Sequence, residues 1–361
     1  MSISTSVDPA TPTWPSVLTD LLQGIDLTSD VAAWAMDRIM SGEATSAQIA
    51  GLLVALRAKG ETADELAGFV RTMLDHARLI EVTGPAVDIV GTGGDRSDSV
   101  NVSTMAALAI AGTGARVVKH GNRAATSACG SADLLEALGV ELSLPADDVA
   151  EVAEQVGITF CFAPVFHPAM RHAGPTRREL GVPTIFNVLG PLTNPAQPAA
   201  AAIGCGDARF AALMADVLAR RGTSALVFRG DDGLDEITTT TTTTIWRTFN
   251  GVVTKEVLDP ARLGLQPVSA SDLLGGDVVF NAQVARDLMA GRRGPVRDVV
   301  VLNAAAGLVA LDAVGAAGEA SAGVALDDAL VEAMARVEQA LDDGSTAQIL
   351  EHWVAATLAR V

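Results

Sequence analysis

Lys119-His-Gly-Asn-Arg123 places two fixed cations, an imidazole and a side-chain amide within five positions, with Thr126 and Ser127 close behind. Such a set suits a phosphorylated, hydroxyl-rich ligand. Ammonium and guanidinium groups make charge-assisted hydrogen bonds to phosphate oxygens, while neutral groups read hydroxyls. A second loop, Asp88-Ile-Val-Gly-Thr-Gly-Gly-Asp95, does the same task with backbone. Glycines after a strand let amides approach a phosphate, and the helix opened by Asn101-Val-Ser-Thr104 adds partial positive charge. Ser103 and Thr104 supply hydroxyls for phosphate or metal contact, and the same two are ordinary helix caps. The loop is neither a Walker A, which needs Gly-Lys-Ser/Thr, nor a full GxGxxG, since Arg96 stands where the last glycine would be. A dinucleotide is therefore disfavoured. In Gly230-Asp-Asp-Gly-Leu-Asp-Glu236, the adjacent Asp235 and Glu236 are hard-oxygen ligands of the kind magnesium uses together with waters and a substrate phosphate. An EF-hand is excluded by Thr242, where that loop needs a glutamate. A fourth segment runs from His167-Pro-Ala-Met170 to Arg177-Arg-Glu-Leu180, where one arginine could face a carboxylate ligand.

Elements of two kinds must carry these loops. From Trp14 to about Ala77 the pattern is helical, with capping boxes at Thr45-Ser-Ala-Gln48 and Thr62-Ala-Asp-Glu65 and one apolar face of Ile49, Leu52, Leu53 and Leu56. Gly42 and Gly60 fall where helix C-caps belong. No cluster of titratable side chains stands out there, so this part reads as scaffold, with Glu81–Pro85 as its exit linker. Beyond Pro85, Ala86–Val90, Ala115–Val118 and Ser224–Phe228 are short β-branched runs, each feeding a polar or glycine loop. Repeated strand–loop–helix units predict an α/β sheet with ligands at the carboxyl ends of its strands. Asp328–Leu341 and Thr346–Leu358 read as amphipathic helices, and Thr238–Thr244 as a threonine run suited to a strand, with no chemistry of its own.

Composition sets the limits. A chain of 361 residues exceeds one ordinary domain, and 49% hydrophobic residues provide ample core. Lys and Arg number 25 against 43 Asp and Glu, a net charge of −18, which argues against a nucleic-acid partner. An anionic substrate then demands a local basic pocket or a metal. Apolar stretches are too short to span a bilayer, the first residues lack a signal-peptide pattern, and Cys129, Cys161 and Cys205 form no CxxC. No membrane partner and a cytoplasmic location are expected.

Taken together, Asp88–Asp95, Asn101–Thr104, Lys119–Ser127, His167–Met170, Arg177 with Phe186-Asn-Val-Leu-Gly-Pro191, and Gly230–Glu236 resemble the anthranilate phosphoribosyltransferases. The similarity runs from about Trp14 to about Trp353 and includes Gly42-Glu-Ala-Thr45 and Leu56-Arg-Ala-Lys-Gly-Glu-Thr62. Arg96, Ser99 and Cys129 depart from residues common in that family, which itself is similar in fold to pyrimidine nucleoside phosphorylases. The resemblance implies a small N-terminal helical-bundle domain, residues 1–84, on which a further segment near 165–190 packs. It implies a large α/β domain, residues 85–361, with a central mixed, mostly parallel sheet flanked by helices. The implied reaction moves a phosphoribosyl group from 5-phosphoribosyl 1-diphosphate to anthranilate, with Mg2+ as cofactor, in a homodimer joined through the helical domain.

Residue by residue, the resemblance implies a phosphoribosyl-diphosphate site of Gly91, Gly94, Asp95, Ser99, Asn101, Val102, Ser103, Thr104, Lys119, His120, Gly121, Asn122, Arg123, Ala124, Ala125, Thr126, Ser127 and Ser131. Gly91, Asn122, His167 and Arg177 match the anthranilate site, and Ser103, Asp235 and Glu236 the metal site. Lys119, Arg123, Asp235 and Glu236 take the catalytic role of stabilising the departing pyrophosphate. Two competitors remain: a nucleoside phosphorylase on the same scaffold, which expects a lysine in the first glycine loop, and a non-catalytic nucleotide or nucleic-acid binder.

Overall fold

The computed structural model describes residues 11–95, 97–124, 128–315 and 325–361. Arg96, Ala125, Thr126 and Ser127 lie outside them. The chain forms two compact units, one reaching His76 and including Ala169–Phe186, the other made of Ala77–Pro168 and Asn187–Val361.

The first unit is helical: α1 (Trp14–Leu22), α2 (Ser29–Met40), α3 (Ser46–Lys59), α4 (Ala63–Asp75) and, from the later segment, α9 (Gly174–Leu180), which packs on α3. Both capping boxes form. Gln48 N donates to Thr45 Oγ1 at 3.3 Å while Thr45 N donates to Gln48 Oε1 at 2.8 Å, and Thr62 with Glu65 repeats the pattern. Gly60 closes α3 at φ +93°, a conformation open to glycine at no steric cost. Ile49, Leu52, Leu53 and Leu56 are buried as their spacing predicts. The expectation of no titratable cluster is corrected here. Asp37, Arg38, Glu43 and His76 form one ion-pair network, and Lys59, Asp26 and Glu65 another.

The second unit holds, among the described residues, a seven-stranded sheet in the order β3-β2-β1-β4-β5-β6-β7. Its strands are β1 (Val87–Gly91), β2 (Val117–Gly121), β3 (Ile158–Phe162), β4 (Ala200–Gly204), β5 (Ser224–Gly230), β6 (Thr243–Phe249) and β7 (Val252–Leu258). The first five pair in parallel, while β6 pairs antiparallel with both β5 and β7, a mixed, mostly parallel sheet. The flanking helices are α5 (Val102–Gly112), α6 (Ser131–Ala137), α7 (Ala146–Val156), α8 (Ala163–Phe166), α10 (Phe186–Leu192, whose first residue ends the helical unit), α11 (Ala208–Arg220), α12 (Val278–Met289), α13 (Pro295–Gly315), α14 (Leu326–Asp342) and α15 (Ser345–Leu358). Helix α5 is apolar almost all round and packs against α13, α14 and α15, so it is a core helix. Strand order reverses between β1 and β4, which opens a crevice at their carboxyl ends.

The threonine run is mostly not strand. Only Thr243 and Thr244 join β6, while Thr238 and Thr240 donate to Asp232, and Thr242 and Thr244 to Asp231. Local hydroxyl–carboxylate bonds outcompete β propensity there. No helix of the described residues is long and apolar enough to cross a membrane.

Candidate active site

At the crevice, β1 and β4 end side by side on paired glycines, Gly91 and Gly204. A Cβ on Gly91 would overlap the Asp235 carboxylate, and one on Gly204 would overlap the Asp235 carbonyl. Both glycines therefore exist to let the turn after β5 press down on the sheet edge. Asp235 Oδ2 accepts from Gly93 N at 2.6 Å, and Asp235 N donates to Asp95 Oδ2 at 3.5 Å. The first glycine loop and the acidic couplet are thus one construction.

Lys119 joins it from β2. Its side chain is buried, and Nζ donates to Ile89 O and, at 3.3 Å, to Ser103 Oγ. The Ser103 amide donates to the Glu236 carboxylate. Burial pulls the Lys119 pKa down against the opposing fields of Asp88, Glu236 and Asp235. Burial likewise pushes Asp235 up to about 7, with Asp95 adding repulsion. Glu236 is raised well above the usual range by burial and then by Asp235, with Lys119 opposing. The cause is plain: three carboxylates crowd a dry corner that contains one ammonium. Beneath them, buried Asp88 accepts from Asn194 Nδ2 at 2.9 Å and His120 N at 3.2 Å, and Asn194 also donates to Val118 O at 2.7 Å. This polar tie fixes β1 against β2 and so aims Lys119.

Unsatisfied groups collect on the same edge. Glu236 Oε2, Asn101 Oδ1, Thr104 Oγ1 and His120 Nε2 are buried without a hydrogen-bond partner. Buried polar atoms are normally paired, so such a group marks room for a polar ligand. Asn101, not Ser103 or Thr104, is the N-cap of α5, and its amide is turned to Cys129 O at 3.0 Å. Both hydroxyls are therefore released from capping.

The remaining expected residues are distributed less simply. Gly94 sits at φ +81° in the first loop, Ser99 bridges to Leu274, and Val102 is a core residue whose backbone alone can serve a ligand. Gly121 ends β2, and Asn122 O accepts from Ala132 N beside Ser131 at the start of α6. Arg123 is engaged with carboxylates other than the couplet. It ion-pairs with Glu136 and Asp133 and lies over the Phe162 ring, and Ala124 N also bonds Asp133. His120 and His167 face each other with centroids 5.0 Å apart; His120 Nδ1 bonds Gly190 O at 3.0 Å and His167 Nε2 bonds Thr193 O at 2.9 Å. Burial lowers their pKa values to about 3 and about 4, so both rings are neutral at pH 7. Arg177 belongs to the helical unit, where it stacks 5.0 Å from the Phe186 centroid, and desolvation alone lowers its pKa. Among the described residues no carboxylate pairs with this half-buried guanidinium.

Residues 83–347 match the family described as "Glycosyl transferase family, a/b domain", and residues 15–77 match "Glycosyl transferase family, helical bundle domain". The anthranilate phosphoribosyltransferase of Arthrobacter sp. (strain FB24) is 56% identical over 99% of both chains. The chain belongs to the anthranilate phosphoribosyltransferase family. The solved enzyme of this family from Thermus thermophilus superposes with a TM-score of 0.86 at 41% identity, over 95% of this chain and 99% of that one. The Saccharomyces cerevisiae enzyme, in complex with PRPP and Mg, gives 0.85 at 27% identity over 96% and 98%; another of its structures holds 4-fluoroanthranilate.

Among the described residues no group of three or more His, Cys, Asp or Glu side chains is arranged to enclose a metal. Magnesium does not need one, because it is commonly held by one or two carboxylates, waters and substrate phosphates. Two buried carboxyls with raised pKa values and an orphaned Glu236 Oε2 fit that description. Gly204, Asn194 and Asn303, which shape the site from behind, were missed in the sequence. The usable signals were a glycine closing Ala200-Ala-Ala-Ile203 and a lone asparagine inside Val299–Ala306.

Proposed function

We propose that the chain transfers the 5-phosphoribosyl group of 5-phosphoribosyl 1-diphosphate to the amine of anthranilate. Pyrophosphate leaves and N-(5-phosphoribosyl)anthranilate forms, the second step of tryptophan biosynthesis. The observation that carries this reading is the joining of the glycine loop, Lys119, Ser103 and the Asp235–Glu236 couplet at one sheet edge, in a chain of this family. The phosphorylase reading expects a lysine in the first loop, which has none between Asp88 and Asp95.

In this reading the ribose C1 loses pyrophosphate through an oxocarbenium-like transition state as the amine arrives from the opposite face. An aromatic amine is neutral at pH 7, so nothing need deprotonate it first. The demand is to stabilise charge growing on the leaving group. Asp235, Glu236 and the Ser103 hydroxyl would hold a magnesium ion, which when bound supplies Lewis-acid neutralisation of that charge. Lys119, fixed by Ile89 O, brings its amine to the same edge, while the Thr92 and Gly93 amides are taken by Gly204 O and Asp235. Arg123 reaches the donor by exchanging Glu136 and Asp133 for phosphate oxygens. Arg177, lacking a carboxylate partner, orients that of anthranilate so that its amine points at C1. His120, with Nδ1 on Gly190 O and a pKa pushed down to about 3, stays neutral and serves as a structural or ribose-contacting ring.

We further read the helical unit, with residues 1–84 and the segment near 165–190, as the dimerisation domain and 85–361 as the donor-binding domain. Exposed Leu22, Ile25, Val54 and Val182 give the helical unit an apolar surface that supports a homodimer. The enzyme works in the cytoplasm. Anthranilate fluorescence should decay when both the phosphoribosyl donor and magnesium are added, and only then. No decay, with cleavage of thymidine or uridine in the presence of phosphate, would move the chain to the phosphorylase reading.

A further inference from the structure

We propose that Asn303, at the centre of α13, is a positioning residue for the acidic couplet; this rests on the reading that Asp235 and Glu236 serve the phosphoribosyl donor. Helix α13 reads Val299-Val-Val-Leu-Asn-Ala-Ala-Ala306 around it, and every one of these residues is buried. Asn303 is fully enclosed. An asparagine in such a helix gives up apolar burial and helix propensity, so its amide must be worth more elsewhere.

It is spent almost entirely on one residue. Oδ1 accepts from Ile237 N at 2.9 Å, and Nδ2 donates to Ile237 O at 2.9 Å and to Val299 O at 2.8 Å. Ile237 follows Glu236 directly and lies outside every strand, yet it is fully buried, so its backbone has no ladder to join. Asn303 acts as a one-residue strand partner for it. On the other side of the couplet, Asp232 accepts from Leu234 N at 3.1 Å and from Thr238 Oγ1 at 2.8 Å. The Asp235 carbonyl between them rests on Gly204. The couplet is thus held at three points, and Asn303 is the one that comes from a rigid helix. Loss of this amide frees Ile237, and Glu236 with it, from the register that faces Ser103 and Lys119.

Supporting residues of this kind typically change metal affinity or activity by about 10–100-fold. Asn303→Ala should raise the half-saturating magnesium concentration, and weaken calorimetric binding of the magnesium–phosphoribosyl diphosphate complex, by about that factor. The KM for anthranilate should stay within about twofold, since Arg177 is untouched. Val309→Ala, a buried truncation on the same helix, should lower the melting temperature without moving either magnesium reading. Hydrogen exchange on the unaltered, ligand-free protein gives a measurement independent of any variant: the Ile237 amide should be strongly protected. An Asn303→Ala enzyme that melts lower but keeps its magnesium half-saturation overturns the proposal. So does an unprotected Ile237 amide, which also decides the matter if Asn303→Ala does not fold. Absence of turnover in the unaltered enzyme would instead fail the parent reading, while exchange at Ile237 still reports the clamp.

Discussion

Two buried lysines divide this molecule. In the helical unit, Lys59 reaches Asp26 at 2.6 Å and Glu65 at 3.1 Å, and Glu65 also accepts from Leu27 N and Thr62 N. Burial pulls the Lys59 pKa down, but its two carboxylates more than offset that and hold it above its ordinary value. In the α/β unit, Lys119 is the more deeply enclosed of the two, and there burial wins and its pKa falls. Its neighbour Glu236 is raised and keeps an oxygen with no partner. The first network is closed, with every charge answered from within the protein. The second is open, carrying more carboxylate than its single lysine can balance. A closed network is scaffold; an open one at the carboxyl end of a parallel sheet is a site waiting for charge from outside.

The contrast can be broken by substitution. Replacing Asp235 with Asn and Glu236 with Gln together should lower kcat/KM by at least about 100–1,000-fold, because the pyrophosphate loses its preorganised counter-charge. Unchanged magnesium-dependent turnover would remove the metal role. Glu65→Ala should do the reverse. It leaves Lys59 with Asp26 alone and strips the Leu27 and Thr62 amides of their acceptor, a loss of about 1–3 kcal/mol visible in urea unfolding, with both KM values unaltered in the protein that remains folded. Arg177→Ala should raise the KM for anthranilate by about tenfold or more, with a much smaller change for the donor; equal rises would detach Arg177 from the acceptor. A smaller effect concerns the buried imidazoles. The folded His120 and His167 titrate near 3 and 4, below the ordinary 6.5, so the unfolded chain takes up protons first as pH falls. Stability is therefore full above about pH 6.5 and declines toward pH 4, by at most about 1.4 kcal/mol per pH unit for each ring. His167→Gln should flatten that slope in unfolding measured at pH 7.5, 6 and 5.

Much of this was legible because glycine and charge leave strong marks. The loop after β1, the Lys119 loop and the Asp235–Glu236 pair announced an anion site, and the capping boxes at Thr45 and Thr62 placed their helices to the residue. What could not be read was mutual support across long separations. Nothing in the sequence says that Gly204 faces Asp235, that Asn194 ties β1 to β2, or that Asn303 completes the backbone of Ile237 from 66 residues away. Propensity also misled at Thr238–Thr242, where the neighbouring Asp231 and Asp232 recruit hydroxyls that β-branched statistics assign to a strand. Lys59 and Glu65 were overlooked because charges on helices are usually solvated, and only the packed structure shows these two enclosed.

The claim that an unanswered cluster of charge marks the site is tested most directly by melting the Asp235→Asn, Glu236→Gln protein with and without magnesium and phosphoribosyl diphosphate. Removing two crowded carboxyls should leave the ligand-free melting temperature equal to or above that of the parent, while the upward shift on adding the ligands, present in the parent, disappears. A variant that melts well below the parent yet keeps the full ligand shift would show the couplet to be structural and the account wrong.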